Sequence, residues 1–300
     1  MHSFNEIAGH RQVIDSLQNS IRHGRVSHAY IFSGEAGMGK KLLANTFAKT
    51  LQCAEGGVEP CGRCRSCLTF ESGNQPDVFY VKPTKTKAVG VDDIRQIVTE
   101  NLVTRPFSSA YKIFIIDHAD EMTAQAQNAL LKSIEEPAVY AVFILLAQNM
   151  NLFLPTVLSR CVTYKLKPVP EPDVRAYLAR AAVPPENAAL LSEYAFGNIG
   201  RALTLANDAE FLDMRDEITR TARNLERADL AETFAVFSVF EKYKERIQEA
   251  LDILYIWYHD ARAPFANIDA VDAAKRRLKQ NANFQLTIEV MLLDIKRGKK

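Results

Sequence analysis

The sequence predicts an α/β fold, a parallel sheet wrapped by helices over residues 1–167, followed by a small helical unit over 168–207 and an all-helical domain over 208–300. Two observations carry this. Apolar, β-rich runs at 29–32, 78–81, 112–116, 142–146 and 161–166 alternate with helical patterns at 41–51, 91–102 and 123–135, and such alternation builds parallel strands joined by crossover helices. Glycine and proline then thin out. Twelve of the thirteen glycines fall at or before Gly200, and Pro264 is the one proline after Pro185, which suits helices joined by short polar turns.

Composition sets the bounds. Of 300 residues, 47% are apolar and 24% charged, and no window approaches the ~18–20 uninterrupted apolar residues of a membrane span. The opening MHSFNEIAGHRQ is polar where a secretory leader needs an apolar run of ~7–15 residues, so a cytoplasmic chain without membrane contact is expected. Lys and Arg total 37 against 36 Asp and Glu; any contact with nucleic acid must come from local geometry and not from a bulk positive field.

Directly after the first strand run comes Gly34-Glu35-Ala36-Gly37-Met38-Gly39-Lys40-Lys41, then a helix-forming stretch. Glycines let backbone N–H groups turn inward around phosphate oxygens, the helix N-terminus adds a favourable dipole, and Lys40 reaches the terminal phosphates. Lys41 stands where this motif carries Ser or Thr for Mg²⁺, and an ammonium offers no lone pair to a metal. ATP or ADP binding is therefore expected to be weak or absent; the alternative is a strand-to-helix turn with no ligand.

Cys53, Cys61, Cys64 and Cys67 follow within fifteen residues as C-x7-C-x2-C-x2-C. Four thiolates at this spacing can wrap one tetrahedral Zn²⁺, and four protein ligands leave no open position, so the site is expected to be structural. The third strand run ends in Asp117-His118. A carboxylate there, beside a phosphate loop, would hold Mg²⁺; the alternatives are a helix cap or an ion pair with Lys40. His118 occupies the place of a water-orienting glutamate, so no hydrolysis is expected. Arg160, in Ser159-Arg160-Cys161, presents a planar fork of donors suited to phosphate charge across an interface, or forms a surface ion pair. Cys161 is expected to be a buried strand residue.

Residues 165–174 hold three prolines and read as a semi-rigid linker and domain boundary. Asp173 is the expected cap of the next helix, with a further helix at 188–195. Arg201, opening a helix, is expected either to reach toward the phosphate loop or to be solvated. In the helical remainder, Leu251, Leu254, Tyr255 and Tyr258 recur at helical spacing, widened by Ile253, Ile256 and Trp257, as in a helix buried within a bundle or an oligomer contact.

Taken in order, GEAGMGK, PCGRCRSC, ESGNQPDVFYV, KIFIIDHADEMTAQAQNALLKSIEEP, LPTVLSRC and FGNIGRAL resemble the delta-prime subunits of bacterial DNA polymerase III clamp loaders over residues 1–207; the remainder matches only in class and position. The resemblance implies an AAA+ nucleotide-binding domain with an inserted zinc module at 53–67, a helical lid and a C-terminal helical collar. The implied partners are gamma or tau and delta subunits in a hetero-pentameric ring, the sliding clamp, and primer-template DNA through the assembled complex. By its place in the SRC motif, Arg160 would be an arginine finger acting in trans on a neighbour's ATP, and Arg201 would match the lid's second-sensor position. Lys41, His118 and Ala147-Gln148-Asn149 depart from the metal hydroxyl, catalytic carboxylate and hydroxyl-bearing first sensor of the motor subunits. The chain thus resembles a stationary ring member within the DNA-directed DNA polymerase III holoenzyme. A catalytically active gamma- or tau-like ATPase is the alternative, and a zinc-containing P-loop adaptor outside replication is a third reading.

Overall fold

The computed structural model describes residues 2–83, 88–225 and 228–297; residues 298–300, the end of the expected C-terminal domain, lie outside the described residues. Two compact units emerge, residues 1–182 with 196–201, and residues 183–195 with 202–300.

The first unit is built on five parallel strands, β1 (Ala29–Ser33), β2 (Val78–Val81), β3 (Lys112–Ile116), β4 (Ala141–Ala147) and β5 (Val162–Lys165), in the order β2-β3-β4-β1-β5. The central strands read as unbroken apolar runs because both faces are covered. Ile113 and Ile115 point into one core with Leu43, Phe47 and Leu17; Phe114 and Ile116 point into the other with Leu130, Ile134 and Val98. Register places Phe79 beside Phe114 and Phe114 beside Phe143, and the three rings stack at 5.2 and 5.3 Å, an aromatic row that ties three strands together.

Helices α1 (Arg11–Arg22), α2 (Lys40–Gln52) and α3 (Arg65–Glu71) accompany the first core. On the second face lie the helical stretch 91–102, the helix Ala124–Glu135 and the short turn Pro155–Leu158. The 91–102 stretch is not uniformly α: Ile94–Thr99 is a π-helix. Thr123 caps Ala124–Glu135 by accepting the Ala126 N–H, as N-terminal hydroxyls do.

Three local expectations need correction. The proline-rich segment 165–174, expected as a semi-rigid linker, is packed into the first unit: Leu166 and Val169 are buried and their N–H groups donate to Ser33 and Gly197 carbonyls at 2.7 and 2.8 Å. Asp173 does not cap the next helix: Glu171–Arg180 starts earlier, with Pro170 at the cap and Pro172 in the first turn, where a missing N–H costs nothing. Cys161 precedes β5 instead of lying within it and is only partly buried; burial nevertheless pushes its thiol up to about 12.

The second unit is helical. Pro185–Tyr194, Ala209–Leu225, Leu230–Ala235, Phe237–Lys242, Ile247–Asp260, Phe265–Lys279 and Phe284–Arg297 make up most of it. Ile247–Asp260 packs against Ala209–Leu225, Phe265–Lys279 and Pro185–Tyr194, which is why its apolar stripe is so wide: Leu251, Ile253, Leu254, Ile256 and Tyr258 are all buried. Within it, Asp252 pairs with Lys275 at 2.5 Å, and Arg246 pairs with Asp208 and Glu249. Among the described residues no helix is long and apolar enough to cross a membrane.

Candidate functional site

The glycine-rich turn lies between the C-terminal end of β1 and the N-terminus of α2. Gly34 N–H donates to the Ala147 carbonyl at the end of β4. Gly37 and Gly39 hold φ of +83° and +85°, a left-handed conformation that turns successive N–H groups toward a common centre. A cavity of about 320 Å³ opens there, lined by Gly37, Gly39, Lys40, Lys41, Asp117 and Gln148 among others. The sheet end thus forms the strand–loop–helix crevice in which such folds bind ligands.

Its charged groups are satisfied locally, Lys41 by Asp117 and Lys40 and Asp120 by backbone groups. Lys40 Nζ donates to the Gly34 and Glu35 carbonyls at 2.6 and 2.8 Å; burial lowers its pKa, against the pull of Asp120, Asp117 and Glu35. Lys41 Nζ lies 3.2 Å from Asp117 Oδ2. Of the alternatives to a metal for Asp117, the ion pair with Lys40 does not form: that ammonium is turned onto the loop carbonyls, and the neighbouring lysine takes the carboxylate. His118 sits at φ +51° and pairs with Glu121 at 3.1 Å. Asp120, buried, accepts the N–H groups of Gln148 and Asn149 at 2.9 and 2.8 Å, fixing the loop after β4.

Residues 196–201 touch the loop through groups that spacing did not single out. Asn198 Nδ2 donates to the Ala36 carbonyl at 2.7 Å, and Gly200 N–H donates to the Gly37 carbonyl at 3.0 Å. A Cβ on Gly200 would come within 2.5 Å of Gly37 Cα, so only glycine permits this approach. The Arg201 guanidinium lies over the Phe196 ring at 5.1 Å, while its backbone N–H donates to Asn198 Oδ1.

Arg160 is at the other end of the sheet. It precedes Val162, the register partner of Tyr30, whereas the glycine-rich loop follows Ser33; the four residue steps from Tyr30 to Gly34 alone span roughly 13 Å of strand. Its guanidinium pairs with Glu135 at 2.8 Å and donates to the Thr156 carbonyl and Ser159 Oγ at 3.0 and 3.2 Å, with 38% of the side chain exposed.

The four cysteines come together where α2 ends and α3 begins, with every sulfur within 4.8 Å of the others. Tetrahedral zinc with ~2.3 Å bonds spaces its sulfurs about 3.8 Å apart, and Cys61 and Cys67 lie 4.0 Å apart. The N–H groups of Cys61, Cys64 and Cys67 point at the sulfurs of Cys53, Cys61 and Cys64. Burial works against the Cys64 thiolate, but the Cys67 and Ala54 N–H groups outweigh it and bring the thiol down to about 6; burial and the neighbouring Cys64 and Cys53 push Cys67 up to about 12. Such a cluster cannot carry four negative charges unaided, and its donor set fits a thiophilic cation. Around it, Lys49, 3% exposed, pairs with Glu71 at 2.6 Å and draws that carboxyl down to about 2, and Gln75 bonds both Gln52 and Ser66.

Residues 9–170 match the family described as DNA polymerase III, delta subunit. DNA polymerase III subunit delta' of Bacillus subtilis (strain 168) is 31% identical over 319 residues, covering 96% of each chain. DNA polymerase III subunit tau/gamma of Haemophilus influenzae is 32% identical over 231 residues, 74% of this chain and 33% of that protein. Among solved structures, the RuvB Holliday junction branch migration motor of Thermotoga maritima superposes with a TM-score of 0.50 at 16% identity, over 99% of this chain and 90% of that one, a likeness of fold alone.

Proposed function

This chain belongs to the DNA polymerase III delta-subunit family, and on that premise we propose that it is the stationary, delta-prime member of a bacterial clamp loader. In this reading it assembles with gamma or tau and delta subunits, and completes a neighbour's ATPase site in trans while the ring loads a sliding clamp onto primed DNA. Residues 1–167 act as the AAA+ domain, 168–207 as lid and 208–300 as collar.

The observation that carries the reading is the separation between Arg160 and the chain's own phosphate loop, at opposite ends of β1 and β5. An arginine there is out of reach of its own pocket, and its half-exposed fork suits the phosphate charge of an adjoining subunit. The pocket supports the same division of labour: Lys41 and His118 stand where hydrolysis needs a metal-binding hydroxyl and a water-orienting carboxylate. The active gamma- or tau-like alternative needs both groups. Zinc is the ion assigned to Cys53, Cys61, Cys64 and Cys67, in a structural role because all four positions are filled by protein.

Reconstituting the loader with and without this chain, then measuring clamp loading on primed DNA, tests the assignment. Loading should depend on the chain and fall with Arg160→Ala although the ring still assembles. Loading that proceeds equally well without the chain would contradict it.

A further inference from the structure

We propose that the cavity at Gly37–Lys41 takes a nucleoside di- or triphosphate without a divalent cation, the Lys41 ammonium standing where the metal would stand. The inference rests on the phosphate-loop reading of residues 34–41 and not on the trans role of Arg160.

The backbone side of an anion site is intact. Gly37 and Gly39 keep their left-handed φ, α2 presents its N-terminus, and the cavity between them has a volume of about 320 Å³. The cation side has been rebuilt. The carboxylate that would hold a metal, Asp117, already faces a positive charge 3.2 Å away in Lys41 Nζ. A divalent ion brought to Asp117 would meet that ammonium at short range, and like charges so close repel. A phosphate oxygen meets the opposite situation: Lys41, more than half exposed, can turn its remaining donors to the anion while keeping Asp117.

Lys40 adds to this. Its ammonium, partly buried, rests on two neutral carbonyls, and exchange of these for phosphate oxygens gives shorter, charge-assisted bonds. Asp120 accepts the Gln148 and Asn149 N–H groups, both on Oδ2, so that oxygen is committed to the loop after β4 and not to a metal. Two ammonium groups and the loop N–H groups can therefore neutralise a pyrophosphate that ordinarily needs Mg²⁺.

The test is calorimetric titration of the full chain with ADP and with ATP, in EDTA and in Mg²⁺. Wild-type protein should bind in EDTA, with Mg²⁺ changing affinity by no more than about twofold. Lys41→Thr should bind weakly in EDTA and gain about tenfold with Mg²⁺, or ~1.4 kcal/mol. Lys40→Ala should lose binding in both. Folded, zinc-containing wild-type protein that binds neither nucleotide in EDTA would overturn the proposal, as would binding that requires Mg²⁺ in wild type as much as in Lys41→Thr. Because the trans role is read from ATP hydrolysis by the assembled loader, either idea can fail without the other.

Discussion

The two ends of the central sheet differ in how their charges are satisfied. At the C-terminal end, Lys40 rests on loop carbonyls, Lys41 on Asp117, and Asn198 and Gly200 on the loop itself; the polar groups around the glycine-rich loop are turned inward. At the N-terminal end, Arg160 is anchored by Glu135 and the Thr156 carbonyl yet remains more than a third exposed. The same end holds the four-cysteine cluster, tied to the start of β3 through Gln52 Nε2 and the Tyr111 carbonyl. One end is closed on itself while the other is stiffened and faces outward. The proposed service to a neighbour needs only the outward end to be kept rigid.

The largest effect expected from breaking this contrast is at the cysteine cluster. Cys64→Ser should remove the bound metal and lower the melting temperature by about 10 °C, because a site formed only in the folded state lends its binding energy to folding; elemental analysis and thermal melts on the same sample check it. At the closed end, Asn198→Ala removes a bond to the loop and should cost about 1–2 kcal/mol in denaturant unfolding, with the activity of the assembled loader little changed. Acid should act through Glu71. Its folded pKa, about 2, lies below the unfolded value, so its contribution is full above ~4.3 and is lost as pH falls toward the folded value. The melting-temperature gap between wild type and Glu71→Gln should therefore be widest near neutrality and close in that acid range. The smallest effect is expected of Glu135→Gln, whose half-exposed ion pair is worth about 0–1 kcal/mol; denaturant midpoints should barely move, and loader ATPase should persist because Arg160 keeps its fork.

Much of this was legible in the sequence. The strands at 78–81 and 112–116 fall where their apolar runs predict; the second is buried along its whole length, and a strand covered on both faces has no polar alternation to blur its ends. Cys53, Cys61, Cys64 and Cys67 are legible from spacing, since a cysteine cluster over fifteen residues is a local feature. Asn198 and Gly200 are not, because their bonds to Ala36 and Gly37 join segments some 160 residues apart and leave no periodicity in either. Position 41 shows in the sequence only that a metal-binding hydroxyl is missing; the pairing of Lys41 with Asp117 depends on Lys40 turning onto the loop carbonyls, which spacing does not reveal. The helix Glu171–Arg180 begins ahead of Asp173, because a proline in a first turn is tolerated although three prolines in ten residues read as a linker.

The central claim is that the open end of the sheet does chemistry for another subunit while the closed end does none. It is tested most directly by measuring clamp- and DNA-stimulated ATPase of loaders reconstituted with Arg160→Ala and with Lys40→Ala, side by side. An arginine finger supplied by a partner contributes ~10³–10⁵ in rate at its site, so Arg160→Ala should strongly depress turnover although the ring still assembles, and Lys40→Ala should leave it near wild type. Wild-type turnover with Arg160→Ala, or a collapse with Lys40→Ala, would contradict the account.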